Sequence, residues 1–141
     1  MNILVVGGTG VLGGAVVHAA RAAGHTVAIL TRDRNRRDLM PDHEMLVGDR
    51  YTDLSSLGGR HFDAVVDTCA FTPDAVSALL DALAPTIGRY AFVSSTSVYT
   101  DFSEPNVDEQ APTHRASDEQ LAFARGLPIE LRSSAASYGA A

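Results

Sequence analysis

Seven residues, Gly7-Gly8-Thr9-Gly10-Val11-Leu12-Gly13, separate an unbroken apolar run from a segment of helical periodicity, and nothing else in the chain restricts its fold as tightly. The run before them, Ile3-Leu4-Val5-Val6, is short and rich in β-branched residues, the pattern of a strand buried on both faces. After them Leu12, Val16, Ala19 and Ala23 recur at helical spacing up to Gly24, which can adopt a left-handed cap. The string satisfies G-x-G-x-x-G through Gly8, Gly10 and Gly13, and G-x-x-G-x-x-G through Gly7, Gly10 and Gly13. Such a junction needs glycines because the turn is tight, an anion must reach bare backbone, and the helix must pack closely on its strand. Free amides and the helix dipole then hold negative charge. A glycine-rich turn with no ligand is the plainer alternative.

The rest of the chain alternates strand with helix. Thr26 to Leu30 reads as a second buried strand, followed by a polar stretch from Thr31 to Arg37, and Met45-Leu46-Val47 as a third strand leading into Gly48-Asp49-Arg50. Asp53 to Leu57 suits one helical turn, and Phe62 to Cys69 a fourth strand. Thr72 as N-cap, Pro73 at the first helical position and Asp74 in the first turn announce a helix with Val76, Leu79, Leu80 and Leu83 on one face, stopped by Pro85. Tyr90 to Val93 makes strand five, ending at Ser94-Ser95-Thr96-Ser97. Residues 99–116 lack periodicity and read as a long loop. Ser117 to Gln120 forms a capping box, Gly126 closes the helix it starts, and Ile129 to Leu131 supplies a sixth strand. Connections of this length suit crossovers rather than hairpins. The expected fold is α/β: a three-layer, Rossmann-like, doubly wound parallel sheet of about six strands, with residues 1–141 as one NAD(P)-binding domain.

Composition removes several alternatives. The 141 residues carry 11 basic and 17 acidic side chains, a net charge of −6, which argues against a nucleic-acid carrier and against RNA binding. The single cysteine, Cys69, excludes an internal disulfide and a multi-cysteine zinc site. His18, His25, His43, His61 and His114 have no ligand spacing, so no metal is expected, and they read as surface or turn residues. No stretch approaches the ~18 apolar residues of a membrane helix, and Met1-Asn2-Ile3 lacks a signal peptide's positive flank, so no membrane partner and a cytoplasmic location are expected. All 11 basic residues are arginines.

The end of strand two bears on which dinucleotide fits. An acid there binds the ribose 2′-hydroxyl of NAD, whereas an arginine suits the 2′-phosphate of NADP. Here Leu30-Thr31-Arg32 is followed by Asp33, Arg34, Arg36 and Arg37. The arginines favour NADP; Asp33 as the ribose acid would instead give NAD.

These residues resemble the extended short-chain dehydrogenase/reductase group, the NAD-dependent epimerase/dehydratase family. The resemblance rests on the glycine string, on Gly48-Asp49-Arg50, on Asp63-Ala64-Val65-Val66-Asp67 and on Phe92-Val93-Ser94-Ser95-Thr96-Ser97-Val98-Tyr99. It extends to Gly126-Leu127-Pro128, Leu131-Arg132 and Tyr138-Gly139. It implies cofactor contacts from Gly7, Gly8, Thr9, Gly10, Val11, Leu12 and Gly13, from Thr31 and Arg32, from Asp49 near the adenine with Arg50, and from Cys69, Ala70 and Ser94. Ser95 would be the active-site hydroxyl that orients a substrate oxygen; a polar strand end is the bland reading of Ser94 to Ser97.

The family's chemistry, on a sugar nucleotide or a small alcohol or carbonyl, also uses a Tyr-x-x-x-Lys pair on the helix before strand six. This chain contains no lysine, and the helix near Asp118 to Arg125 contains no tyrosine. Ala111-x-x-x-Arg115 is the nearest imitation, and arginine is a poor substitute. A rival alignment puts Tyr138 in the catalytic place; the Gly-Leu-Pro run sets it beyond strand six instead. The chain therefore resembles the cofactor half, without the C-terminal substrate lobe and catalytically incomplete as given. The open alternative is a non-catalytic NADP(H)-sensing or regulatory protein. The resemblance also implies a homodimer through helices flanking the sheet, which the short last helix weakens.

Overall fold

A computed structural model describes residues 1–32, 42–84 and 86–128. Contacts divide the chain into two compact units: one holds Met1–Ala70 and Asp74–Val93, the other Phe71–Pro73 and the chain from Ser94 onward.

The first unit is a parallel sheet of five strands. These are β1 (Asn2–Val6), β2 (Thr26–Thr31), β3 (Glu44–Val47), β4 (Phe62–Asp67) and β5 (Ile87–Phe92), in the spatial order β3-β2-β1-β4-β5. Helices α1 (Val11–Ala22) and α2 (Pro73–Leu83) make the crossovers β1 to β2 and β4 to β5, and a 3₁₀ turn at Ser55–Leu57 lies between β3 and β4. The alternation of β1 side chains feeds two cores. Leu4 and Val6 join Leu30, Leu46, Leu57, Val65 and the α2 residues Leu79 and Leu83 on one face. Ile3 and Val5 join Val27, Ile29, Met45 and Val17 of α1 on the other. Burial on both faces is what makes β1 and β2 continuously apolar. The doubly wound, three-layer expectation therefore holds; the sixth strand, Ile129 to Leu131, lies outside the described residues, as do Asp33, Arg34, Arg36, Arg37, Pro85, Arg132 and Tyr138.

Several boundaries differ from expectation. Strand β4 ends at Asp67 rather than Cys69, β5 begins at Ile87 rather than Tyr90, and the turn before β4 covers Ser55–Leu57 only. The buried face of α1 is Gly13, Gly14 and Val17, whereas Leu12, Ala19 and Ala23 are exposed, because the helix approaches the sheet through glycines that carry no apolar signal. In α2 the face is Ala75, Leu79 and Leu83, with Val76 and Leu80 on its margin. Thr72 precedes α2, yet its buried Oγ1 makes no hydrogen bond, so it does not cap the helix. Gly24 behaves as expected: at φ +80° its amide donates to Arg21 and the His25 amide to Ala20, closing α1 in a Schellman motif.

The second unit contains α3 (Asp118–Gly126) and the irregular chain before it. Ser117 Oγ accepts the Gln120 amide at 3.2 Å while Gln120 Oε1 accepts the Ser117 amide at 2.8 Å, the reciprocal capping box expected from sequence. Among the described residues no helix is long and apolar enough to cross a membrane, and no group of three or more His, Cys, Asp or Glu could hold a metal ion.

Candidate functional site

The strand order reverses at β1. The chain steps from β1 outward through β2 to β3, then crosses back to place β4 on the other side of β1. Register aligns Val6 with Leu30 and Asp67, and Asp67 with Phe92, so the carboxyl ends of the central strands stop along one line. In such sheets the crevice outside the strand ends at the reversal point is where ligands bind. Here it is formed by the turn after β1 and by Thr68, Cys69 and Ala70 after β4.

The glycine turn is built by close approach. Gly7 adopts φ +82°, and a Cβ there would sit 2.7 Å from Thr68 Oγ1 and 3.0 Å from Cys69 Sγ. A Cβ at Gly8 would meet Ile29 at 2.9 Å, and one at Gly13 would collide with the Gly7 carbonyl. Gly10 differs: it is exposed, and its Cβ would meet only the Gly7 carbonyl, at 3.4 Å. Gly10 is also the N-cap of α1, has no side-chain capping bond, and donates its amide to Gly7 at 2.9 Å. The amides of Val11 and Leu12, at the opening of α1, have no carbonyl one turn earlier in the helix to bond. Both side chains stand exposed, Val11 at 98%. Three glycines thus make the turn compact and one leaves its outer surface bare, an arrangement that fits a diphosphate lying against backbone.

The flanking residues have distinct surroundings. Thr31 ends β2, is buried, and its carbonyl accepts the Gly48 amide at 3.0 Å; Arg32 follows it, exposed. Asp49 uses Oδ1 to accept the Tyr51 amide at 2.8 Å, which shapes its own turn. Thr68 donates through both its amide, at 3.1 Å, and its Oγ1, at 2.8 Å, to the Val6 carbonyl, tying the end of β4 to the end of β1. Cys69 is half-buried, and burial pushes its thiol up, with the nearby Arg50 guanidinium opposing.

Arg50 is engaged within the protein. Its Nη1 donates to Asp67 Oδ2 and its Nη2 to Asp67 Oδ1, each at 2.8 Å, with the two side chains 5% and 0% exposed. Tyr90 donates its hydroxyl to Asp67 Oδ2 at 2.7 Å, and the Cys69 amide donates to Oδ1 at 3.2 Å. Burial and the bond to Asp67 push the Tyr90 phenol well above its ordinary value. Neither Asp67 nor Tyr90 is marked as a site residue in the sequence; the one signal for this cluster is an acid ending an otherwise apolar strand.

Ser94 and Ser95 follow β5 in the second unit. Ser95 Oγ accepts the Ser97 amide at 3.2 Å and lies 2.6 Å from Ser97 Oγ, capping a 3₁₀ turn at Thr96–Val98. His114 is exposed and donates its backbone amide to the Val98 carbonyl.

A profile of the NmrA-like family matches residues 1–46. No curated protein matches the chain. Among solved structures, a UDP-N-acetylglucosamine 4-epimerase from Bacillus cereus is 29% identical with a TM-score of 0.65, over 80% of this chain and 43% of that one. A short-chain dehydrogenase/reductase superfamily protein from Agrobacterium tumefaciens with bound NAD is 27% identical with a TM-score of 0.64, over 83% and 40%. The yeast methylglyoxal/isovaleraldehyde reductase Gre2 complexed with NADPH, 18% identical with a TM-score of 0.59 over 72% and 39%, shares the fold. The chain thus spans about two-fifths of the length of each of these structures.

Proposed function

We propose, for a chain whose fold and likenesses are those of a partial extended short-chain dehydrogenase/reductase domain of the NAD-dependent epimerase type, that it holds a nicotinamide dinucleotide at the opening of α1. The observation that carries this is the turn from Gly7 to Gly13: compact through Gly7, Gly8 and Gly13, bare at Gly10, and set where the strand order reverses. The amides of Val11 and Leu12 face the diphosphate, Thr9 and Gly13 complete the turn, and Cys69 and Ala70 line the cofactor beyond it. The whole span 1–141 is one dinucleotide-binding domain in this reading. NADP is the preferred form, with exposed Arg32 at the end of β2 taking the 2′-phosphate beside Thr31, and Asp49 lies toward the adenine. Likeness to an NAD-bound structure supports the dinucleotide and leaves NAD as the second form.

The bound nicotinamide supplies a hydride acceptor or donor. The lineage is one of epimerases, dehydratases and reductases acting on a sugar nucleotide or a small alcohol or carbonyl, with Ser95 on the substrate oxygen. The absence of any lysine, and of tyrosine from α3, favours a second reading for this chain: it senses or sequesters NADP(H) without turning it over. Calorimetric titration with NADP and NAD tests the binding. Hydride transfer followed by absorbance with candidate alcohols separates the two readings, since turnover by the 141-residue chain removes the sensor and its absence with retained binding supports it.

A further inference from the structure

We infer that Arg50 and Asp67 are positioning residues for the dinucleotide turn: their buried pair fixes the Cys69 segment against Gly7 and so sets the floor on which the diphosphate rests. The inference deepens the proposed dinucleotide site and rests on that reading.

Each Asp67 oxygen has two donors. Oδ1 takes Arg50 Nη2 at 2.8 Å and the Cys69 amide at 3.2 Å; Oδ2 takes Arg50 Nη1 at 2.8 Å and Tyr90 Oη at 2.7 Å. The same Nη2 lies 3.6 Å from Cys69 Sγ. Arg50 thus reaches Cys69 twice, once directly and once through the carboxylate that holds its amide. Cys69 and its neighbour Thr68 in turn close on Gly7 so tightly that a Cβ would fall within 3.0 Å of Sγ and 2.7 Å of Thr68 Oγ1. Gly7 is the left-handed residue that starts the turn, and its carbonyl accepts the Gly10 amide. The space between Gly7 and these two side chains is too small for even a methyl group, so where Cys69 sits bears on where the turn can start.

Stability alone gives little reason for such a pair, because well-packed apolar residues of similar volume often replace a buried ion pair without loss. What an apolar pair cannot supply is an acceptor for the Cys69 amide. The double variant Arg50→Met with Asp67→Leu uses this difference, since it leaves no charge unpaired.

The test titrates the 141-residue chain and its variants with NADP and NAD, alongside thermal unfolding and amide hydrogen exchange. The double variant is expected to fold, to exchange its Cys69 amide faster, and to bind the dinucleotide about three- to tenfold more weakly. Arg50→Lys keeps the charge balance but replaces the planar fork with a point donor, and is expected to lose about two- to threefold. Parent-like affinity in either folded variant overturns the positioning role and leaves the dinucleotide site standing. No binding by the parent chain overturns the site, and this inference with it.

Discussion

Arg50 and Asp67 meet through two parallel hydrogen bonds of 2.8 Å, almost wholly shielded from solvent, at the carboxyl end of the central strands. Guanidinium and carboxylate match in this fork geometry, and the bonds are charge-assisted. The sum of the pair's charges is zero, and Tyr90 and the Cys69 amide satisfy the remaining lone pairs of the carboxylate. The carboxylate thus has both oxygens fully engaged within the protein.

Gly10→Val is expected to abolish dinucleotide binding while preserving the fold. Gly10 has φ −83° and ψ 172°, which any residue adopts, and its Cβ finds open space apart from one ordinary contact. The fold cost is about 1 kcal/mol, that of a poor N-cap residue. In the proposed site, however, the side chain would project into the place of the diphosphate. Unchanged affinity in a calorimetric titration, with parent-like circular dichroism, refutes the site.

Gly13→Ala should show the opposite balance. Its methyl group would strike the Gly7 carbonyl and lie 2.8 Å from Gly8 Cα, backbone atoms that cannot swing aside. A loss of about 1–3 kcal/mol in urea unfolding is expected. A variant as stable as the parent would mean that α1 does not approach β1 through this residue.

Arg32→Ala is expected to weaken NADP more than NAD, by removing a positive partner of the 2′-phosphate at the end of β2. A charge-assisted bond of this kind contributes about 1.5–3 kcal/mol, or roughly ten- to a hundredfold in affinity. Equal losses for both forms would point to Asp33 as the ribose partner.

Alkaline pH should destabilise the chain through Tyr90 and Cys69. Burial raises the phenol above its ordinary 10.0, reinforced by the bond to Asp67, and burial also raises the thiol above its ordinary 9.0. Both groups are neutral when protonated, so their contribution is complete below the unfolded pKa and is lost as pH rises toward the folded value. Stability should hold through neutral pH and fall above about 9. Tyr90→Phe removes the part of the fall that begins near the tyrosine pKa; urea unfolding of that variant with the parent's alkaline slope counts against the assignment.

What the sequence made legible was mostly local. The apolar runs of β1 and β2, the Gly24 cap and the Ser117–Gln120 capping box each depend on neighbours within a few residues, and the structure reproduces all four. The face of α1 was misread because Gly13 and Gly14, the residues that press on the sheet, look neutral in any apolar pattern. The start of β5 was set three residues late for a related reason: Gly88 resembles a strand breaker, yet a Cβ there would lie 2.6 Å from the Asp63 carbonyl, so only glycine lets β4 and β5 lie so close. In the site, the glycine turn was visible as a pattern, whereas the pairing of Arg50 was not. Its partner Asp67 lies 17 residues away across a crossover, and nothing in the intervening spacing announces the pair.

The central position of β1 also bears on how the chain comes to be folded. In register Ile3 lies beside Ala64, a partner 61 residues later in the chain. At ribosomal speeds of about 5–20 residues per second, some 3–12 s separate the emergence of the two strands. For that interval β1 has one neighbour at most, and its other edge is a template that any extended segment, including that of another nascent copy, can occupy. Crowded synthesis is therefore the condition under which this topology is most exposed to mispairing.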